Sequence, residues 1–296
     1  MKITFLGTSS MVPTKERNHN SLLINYENEN ILVDCGEGTQ RQLRIAKISP
    51  TKITKILLTH WHGDHVFGLP GLLQTLGANE YRKTLEIYGP KGTKSYFKKI
   101  LLMYLPREQV KTNISEVTKG KFLERNHYEL YATNLKHSAY CLAYSFKEKD
   151  KRKINLEYTK KFGLVRHPLL GDLQKGKNIK FKGKLIKAEK ATTIKKGKKV
   201  TIILDTIPCK NCIDLAKDSD ILICESTYLE KNREKARKYK HLTAKQAATI
   251  AKQAKVKKLV LTHFSQRHKD LTEVLKEAKK VFKNTVCAKD FLTLTL

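Results

Sequence analysis

Apolar residues along this 296-residue chain fall into short runs, many of them β-branched, separated by polar or glycine-bearing turns. The runs ITFL, ILVD, KILL and LEIYG (85–89) predict strands in the first half. TIILD (201–205), ILICE (221–225) and KLVLTH (258–263) predict strands in the second. Between them the spacing predicts helices from Lys91 to about Leu105, over 211–217, from Thr243 to about Ala254, and over 271–282. Alternating strands and helices make this an α/β chain. No Gly-x-Gly-x-x-Gly follows the first strand, so a dinucleotide-binding fold has no support. Several predicted strands end on a residue that can bind metal or carry negative charge: Asp34, His60, Asp205, Glu225 and His263. Loops at strand ends are where α/β proteins assemble sites from distant sequence.

One segment breaks the alternation. Residues 147–199 carry 19 Lys+Arg against 5 Asp+Glu, and five glycines punctuate them. Apolar residues are sparse there but present: Ile154, Leu156, Tyr158, Phe162, Leu164, Leu169 and Leu170. A structureless loop of that length is unusual in a compact domain. The segment therefore reads as a protruding basic arm, centred on 151–187, with a short helix and a hairpin that present lysines. The competing reading is a disordered basic insertion.

The whole chain repeats this bias, with 59 Lys+Arg, 28 Asp+Glu and a formal net charge of +31. Such an excess attracts polyanions, and nucleic acid leads because binding phosphates releases condensed counterions. An anionic membrane surface, or a lysine-rich proteome with no specific partner, gives the same balance. No secretory leader is visible in MKITFLGTSS, and no apolar run approaches the ~20 residues of a membrane span. The six cysteines are scattered, with only Cys209 and Cys212 close together, which fits a reducing cytoplasm better than a disulfide framework.

The sharpest chemical signal is His60-Trp61-His62-Gly63-Asp64-His65, directly after KILLT. Four groups of this kind on one turn would compete for hydrogen bonds, and a cation resolves the competition, since imidazole and carboxylate are good zinc donors. His60 and His62 can point to one ion, Asp64 and His65 to a second. Two ions need further donors, and His137, Asp205 and His263 each follow a strand-like stretch. A carboxylate such as Asp205 can bridge two cations ~3.5–4 Å apart.

HxHxDH followed by a distant His, Asp and His resembles the metallo-β-lactamase superfamily. A finer resemblance, to the tRNase Z family of tRNA 3′-processing endoribonucleases, rests on stretches that run nearly end to end. These are FLGTSSMVPTKERN, LVDCGEGTQRQL, LLTHWHGDHVFGLPGLL, IYGPKG, ILDT, CESTYLEKNREKARKYKHLTAKQAA and LVLTHFSQRHKD. The resemblance implies a single α/β domain over 1–296, a metallo-β-lactamase fold with four αββα layers, into which the basic arm 151–187 is inserted. It implies two Zn2+ per subunit. His60, His62 and His137 would hold one, Asp64, His65 and His263 the other, and Asp205 would bridge them. Asp64 would also orient or deprotonate the attacking water, and His241, supported by Glu225, would donate a proton to the leaving oxygen. The loop Pro13 to Asn18, with Lys15, Arg17 and Asn18, resembles the segment that approaches the tRNA 3′ region, and Thr243 would join it in binding substrate. The arm resembles the family's grip on the tRNA elbow, with His167-Pro168 where many family arms carry Gly-Pro. Family members commonly work as homodimers, one subunit's arm serving the other's active site. Precursor tRNA is the implied substrate, cut to a tRNA 3′-hydroxyl and a 5′-phosphorylated trailer.

Other residues carry less. Cys209-x-x-Cys212 has no second pair with which to hold a structural zinc and reads as an ordinary helix start. His19, His127, His167 and His268 read as surface residues. Asp34 reads equally as a partner for a zinc-bound imidazole or as a turn cap, and Arg267 as a phosphate contact or a solvated charge. A small-molecule phosphodiesterase, thioesterase or lactonase of the same fold is the competing enzyme, though a small substrate needs neither the charge nor the arm. A DNA-cutting relative and a non-catalytic RNA-binding protein are the remaining alternatives.

Overall fold

The β-branched runs become two seven-stranded sheets in a computed structural model that describes residues 1–104 and 110–296. The first sheet takes β1 (Lys2–Gly7), β2 (Ser21–Tyr26), β3 (Glu29–Val33), β4 (Lys55–Leu57), β5 (Leu85–Gly89) and β6 (Thr112–Glu116). The second begins with β7 (Gly120–Glu124), β8 (Tyr128–Asn134) and β9 (Leu142–Glu148). Next come four short strands: β10 (Lys151–Ile154), β11 (Ile179–Phe181), β12 (Lys184–Ile186) and β13 (Thr192–Lys195). The chain returns to the second sheet with β14 (Lys199–Ile203), β15 (Ile221–Glu225), β16 (Lys258–Thr262) and β17 (Thr285–Cys287), and β18 (Thr293–Thr295) closes the first.

Strand order in the first sheet is β18-β1-β2-β3-β4-β5-β6, and in the second β17-β16-β15-β14-β9-β8-β7. Helices cover the outer face of each. Leu43, Leu69, Leu72, Leu76 and Phe97 pack on Leu6, Leu23, Leu32, Ile56 and Ile87 of the first. Cys212, Ala216, Ala247, Ala251 and Val274 pack on Ile203, Leu222, Cys224, Leu259 and Leu261 of the second. Each fully buried Leu, Ile or Val stabilises such a layer by roughly 1.5–3 kcal/mol. Between the sheets, the Tyr26 and Phe146 rings meet at 5.1 Å, and the Tyr144 hydroxyl donates to the Leu58 carbonyl at 2.7 Å. The result is the αββα layering expected of a metallo-β-lactamase fold. No helix among the described residues is long and apolar enough to cross a membrane.

Parallel pairing explains why the strand ends matter. β14, β15 and β16 run parallel, with Ile203 opposite Cys224 and Glu225 opposite Thr262. Their carboxyl ends therefore deliver Asp205, Glu225 and His263 to one edge. β3 and β4 are also parallel, Val33 opposite Leu57, and bring Asp34 beside Thr59 and His60. Asp34, Asp205 and His263 all take the left-handed backbone region, at φ 57°, 49° and 59°. Residues with a Cβ adopt it at a cost, and it turns each side chain off the line of its strand.

The predicted helices shorten at their ends. Thr93–Leu101 stands where Lys91 to Leu105 was expected, and Leu105 itself lies outside the described residues. Lys210–Ala216, Ala244–Gln253 and Thr272–Lys279 match the other three to within a few residues. Thr243 is the cap of the second of these: its hydroxyl accepts from the Gln246 amide, and Gln246 accepts from the Thr243 amide.

Residues 124–129 and 147–198 form a second compact unit. It extends beyond the expected 151–187, because β10 pairs with β13 from Lys151↔Lys195 to Ile154↔Thr192. It holds a β11–β12 hairpin and three short helices, Leu156–Lys160, Leu169–Gln174 and Ala188–Ala191. Leu164, Leu173, Ile179, Ile186, Ala188 and Ala191 are its buried core. The segment is thus a small folded module rather than a single helix and hairpin. His167 and Pro168 open the second helix, where the His167 ring accepts from the Leu169 amide at 3.2 Å.

Candidate metal centre

The turn after β4 carries His60 and then His62, the latter in extended backbone, before the short helix Gly63–Val66, which holds Asp64 and His65. Two groups of donors result. In the first, His60 Nε2 lies 2.9 Å from His62 Nδ1, which lies 3.1 Å from His137 Nε2, and Asp205 completes the set. In the second, His65 Nε2 lies 3.2 Å from His263 Nε2, and each lies within 3.5 Å of an Asp64 oxygen. Asp205 belongs to both groups: its Oδ2 lies 3.5 Å from His60 Nε2 and 3.5 Å from His65 Nε2, and its Oδ1 lies 3.2 Å from His263 Nε2.

The protons on the outward ring nitrogens show what these groups are built for. Asp34 accepts from His65 Nδ1 at 2.6 Å. Thr59 gives its hydroxyl proton to Asp34 at 2.8 Å, which leaves its oxygen to accept from His60 Nδ1 at 3.1 Å. Thr227 repeats the device, donating to Glu225 at 2.7 Å and accepting from His263 Nδ1 at 3.1 Å. His137 Nδ1 donates to the Lys240 carbonyl at 3.0 Å. Each arrangement uses the outward nitrogen, so that a neutral ring would present its inward nitrogen as a bare lone pair. Four such lone pairs converge with two buried carboxylates, and Asp64 Oδ1 and Asp205 Oδ1 have no hydrogen-bond partner. Lone pairs about 3 Å apart with no proton between them repel, whereas they are spaced close to the ~3.3 Å edge of a tetrahedron around a 2.0–2.1 Å zinc–nitrogen bond. The donor set therefore fits two cations that share Asp205.

Electrostatics carry the same demand. Burial pushes His60 well down and His62 and His137 down, which keeps these rings neutral and ligating. Burial also opposes charge on His65, but the carboxylates of Asp64, Asp205 and Asp34 outweigh it and hold the ring well above its ordinary value. Asp64 and Asp205 are likewise opposed by burial yet held below the usual carboxylate range, chiefly by His65 and His263. The buried carboxylates need positive charge beside them.

His241 stands outside both donor pairs. Its Nδ1 lies 3.1 Å from Glu225 Oε2 and 3.3 Å from Oε1. Burial lowers its basicity, but Glu225 first and Asp205 next raise it to about 9. His241 faces a cleft of about 360 Å³ that His62, Asp64, His137, Asp205, Tyr228 and Arg267 help to line.

The four residues expected to bind substrate divide. Lys15 is exposed and its loop position is open. Asn18 is half-buried and donates to the Glu37 carbonyl at 2.7 Å. Arg17 is buried, and its guanidinium donates to the His268 carbonyl at 2.8 Å. Thr243 is buried too and donates to Glu230 at 2.8 Å. Arg17 thus braces the backbone at Ser265 and His268, beside the cleft, and Thr243 is tied to the Glu230 carboxylate. Thr59 and Thr227 escaped the sequence reading, although each sits beside a recognised residue: Thr59 before His60, Thr227 two after Glu225. Ser138, with its hydroxyl 3.4 Å from His62 Nε2, escaped as well. Of the residues set aside, Arg267 lines the cleft, and Asp34 is a ring partner rather than a turn cap alone.

Comparison with known proteins agrees with this geometry. Residues 14–147 match the metallo-beta-lactamase superfamily model. The chain is 40% identical to Ribonuclease Z of Methanothermobacter thermautotrophicus over 295 residues, covering 99% of this chain and 96% of that protein. It is 38% identical to Ribonuclease Z of Protochlamydia amoebophila, covering 98% and 95%. Among solved structures, the short form of human tRNase Z superposes with a TM-score of 0.73 at 26% identity, covering 100% of this chain and 99% of that one. With full-length identity of this order and both donor groups in place, the chain belongs to the ribonuclease Z family, within the metallo-β-lactamase superfamily.

Proposed function

We propose that this protein is a zinc-dependent endoribonuclease that removes the 3′ trailer from precursor tRNA, leaving a tRNA 3′-hydroxyl and a 5′-phosphorylated trailer. The observation that carries the reading is the sharing of Asp205 by two donor groups, in one cleft with the Glu225–His241 pair. His60, His62 and His137 would hold one zinc, and Asp64, His65 and His263 the other, with Asp205 between them. When bound, the pair supplies positive charge for the scissile phosphate and makes water acidic enough to attack near neutral pH.

The chain's own residues do the rest. Asp64 lines the cleft and has one oxygen, Oδ1, without a hydrogen-bond partner, so it can orient the attacking water and accept its proton. His241, held as an imidazolium by Glu225, donates to the 3′ oxygen as the phosphorus–oxygen bond breaks. Asp34, Thr59 and Thr227 hold the ligand rings in one orientation and one tautomer. Arg267 is placed to meet a phosphate at the cleft wall, and Lys15 supplies an exposed cation for the tRNA 3′ region. The basic unit around 151–187 supplies phosphate contacts to the body of the tRNA. In this reading the protein works in the cytoplasm as a homodimer.

The test is to map the cut on a 3′-extended tRNA transcript with zinc-loaded enzyme. A single cut at the trailer junction, with phosphate on the trailer's 5′ end, is expected. Turnover of bis(p-nitrophenyl) phosphate with no cut in the transcript would replace this reading with a small-molecule phosphodiesterase.

A further inference from the structure

Cys209 and Cys212 belong to none of the machinery above, yet the fold brings them together. Their sulfurs lie 3.3 Å apart. The contact spans one turn, in which the Cys212 amide donates to the Cys209 carbonyl at 3.1 Å. The two thiols differ in environment. Cys212 is fully buried in the core beneath β14 and β15, whereas Cys209 is partly exposed. Cys209 also lines an open cavity of about 440 Å³ together with Pro208, Ile213, Glu230, Arg233 and Lys245. The remaining cysteines offer nothing similar: Cys35, Cys141 and Cys224 are buried, and Cys287 is half-buried.

We propose that Cys209 and Cys212 form a redox-active dithiol, with Cys209 attacking an external low-molecular-weight disulfide and Cys212 resolving the adduct. The Cys209 thiolate attacks one sulfur of the small disulfide, breaks its S–S bond and releases one small thiolate. Cys212 then gives up its proton and attacks the Cys209 sulfur, which releases the second small thiolate. An internal disulfide has formed and the small disulfide has been reduced by two electrons. The two protein thiol protons end on the two released thiolates.

Three observations support this division of labour. Access comes first: of the two, only Cys209 is partly exposed and lines the cavity, while Cys212 is buried. Proximity comes second, because the resolving sulfur is already in contact and a Cys-x-x-Cys turn holds its α-carbons at a separation a disulfide can span. Polarity comes third. The Cys212 thiol donates to Cys209, and with the Thr206 hydroxyl it draws the Cys209 thiol below its ordinary value. The same contact, with burial, pushes Cys212 up, so that it stays a thiol until the adduct forms. Arg233 and Lys245 on the cavity wall share the one carboxylate of Glu230, at 3.3 and 3.8 Å, so the wall keeps an excess of positive charge toward an anionic disulfide such as oxidised glutathione.

The experiment uses the full-length, zinc-loaded protein in glutathione buffers of graded redox ratio, followed by alkylation and peptide mass mapping. The expected result is a Cys209–Cys212 disulfide that appears and disappears reversibly with the ratio of reduced glutathione squared to oxidised glutathione. In reduced protein, alkylation of Cys209 at neutral pH should be roughly tenfold faster than that of Cys287. Cys212→Ser should trap a glutathione adduct on Cys209, and Cys209→Ser should show neither adduct nor disulfide. The proposal is overturned if both thiols stay alkylatable across the whole range. It is equally overturned if wild-type protein stops at a stable Cys209–glutathione adduct, because Cys212 then resolves nothing. Metal content and circular dichroism recorded on both variants identify a misfolded sample, and alkylation of the wild type alone still decides the question.

Discussion

At the strand ends, recognition is built from angles: each ligand ring of both donor groups has a partner for its outward nitrogen, and the shared Asp205 lies 3.8 Å or less from four of the five. In residues 147–199 the proposed recognition is built from number: 19 Lys+Arg against 5 Asp+Glu, displayed on a module whose core is six buried apolar residues. The first region tolerates no substitution in its ring partners without moving a lone pair. Under the proposed function the second would tolerate many, because a phosphate lattice reads summed charge. The contrast predicts that damage at the strand ends appears in turnover of any phosphodiester, and damage to the basic module appears with RNA alone.

The largest expected effect is at the shared carboxylate. Asp205→Ala removes an oxygen from both donor groups, and its activity on precursor tRNA and on bis(p-nitrophenyl) phosphate should fall together by about 10³-fold or more. Bound metal, measured by atomic emission, should fall as well. Full metal occupancy with normal turnover would remove Asp205 from the centre.

His241→Ala should come next and should part the two substrates. On precursor tRNA we expect a loss in kcat of roughly 10²–10⁴, the usual range for general acid–base help. The loss should shrink for p-nitrophenolate, which leaves without a proton, and metal content should hold. The pH profile gives the sign. His241 is raised by Glu225, so the donor form persists to higher pH and activity is lost as pH rises through its pKa. Bound divalent cations repel the imidazolium and move that limb below 9, so the informative comparison is relative. Glu225→Gln should shift the limb to lower pH and leave the low-pH side in place. An unshifted limb would remove Glu225 as the source of His241's basicity.

A smaller loss is expected one bond further out. Asp34→Asn keeps its shape but no longer fixes the proton on His65 Nδ1. Zinc affinity should weaken by about 10–100-fold, read by competition with a chromophoric chelator, while saturating zinc restores much of the turnover.

How much of this was legible in the sequence follows the physics of each region. The HxHxDH turn, His137, Asp205 and His263 were legible because several costly groups coincide at strand ends. The ring partners were harder. Asp34 could be weighed either way, and Thr59 and Thr227 look like any buried threonine until a hydroxyl is seen between a carboxylate and an imidazole. Arg17 and Thr243 are motif residues that suggest substrate contact, and the fold buries both and gives each an internal hydrogen bond that the sequence does not announce. In the basic segment, charge and location were legible, whereas its bounds were drawn too short. Its core was not legible, because Leu173, Ile179 and Ile186 are scattered among lysines with no sustained period.

That hidden core sets the terms of the last and, for the catalytic centre, smallest effect. A deletion of 151–187 would remove β10 and leave β13 with no partner, exposing Ala188 and Ala191. Lys151 and Lys195 are paired across the two strands, so a deletion that joins the chain there through a short Gly-Ser turn removes the module and leaves no unpaired strand. We expect that variant to keep its metal and to turn over bis(p-nitrophenyl) phosphate at the wild-type rate, since the module supplies no donor. KM for precursor tRNA should rise, and the dependence of kcat/KM on salt should flatten. Each lost phosphate contact lowers the log–log slope by about 0.9 for duplex nucleic acid. Loss of small-ester turnover with metal and folding intact would place the module inside the catalytic centre. An unchanged salt slope with unchanged KM would mean that its charge meets no RNA, and the lysines would then be a solvated surface.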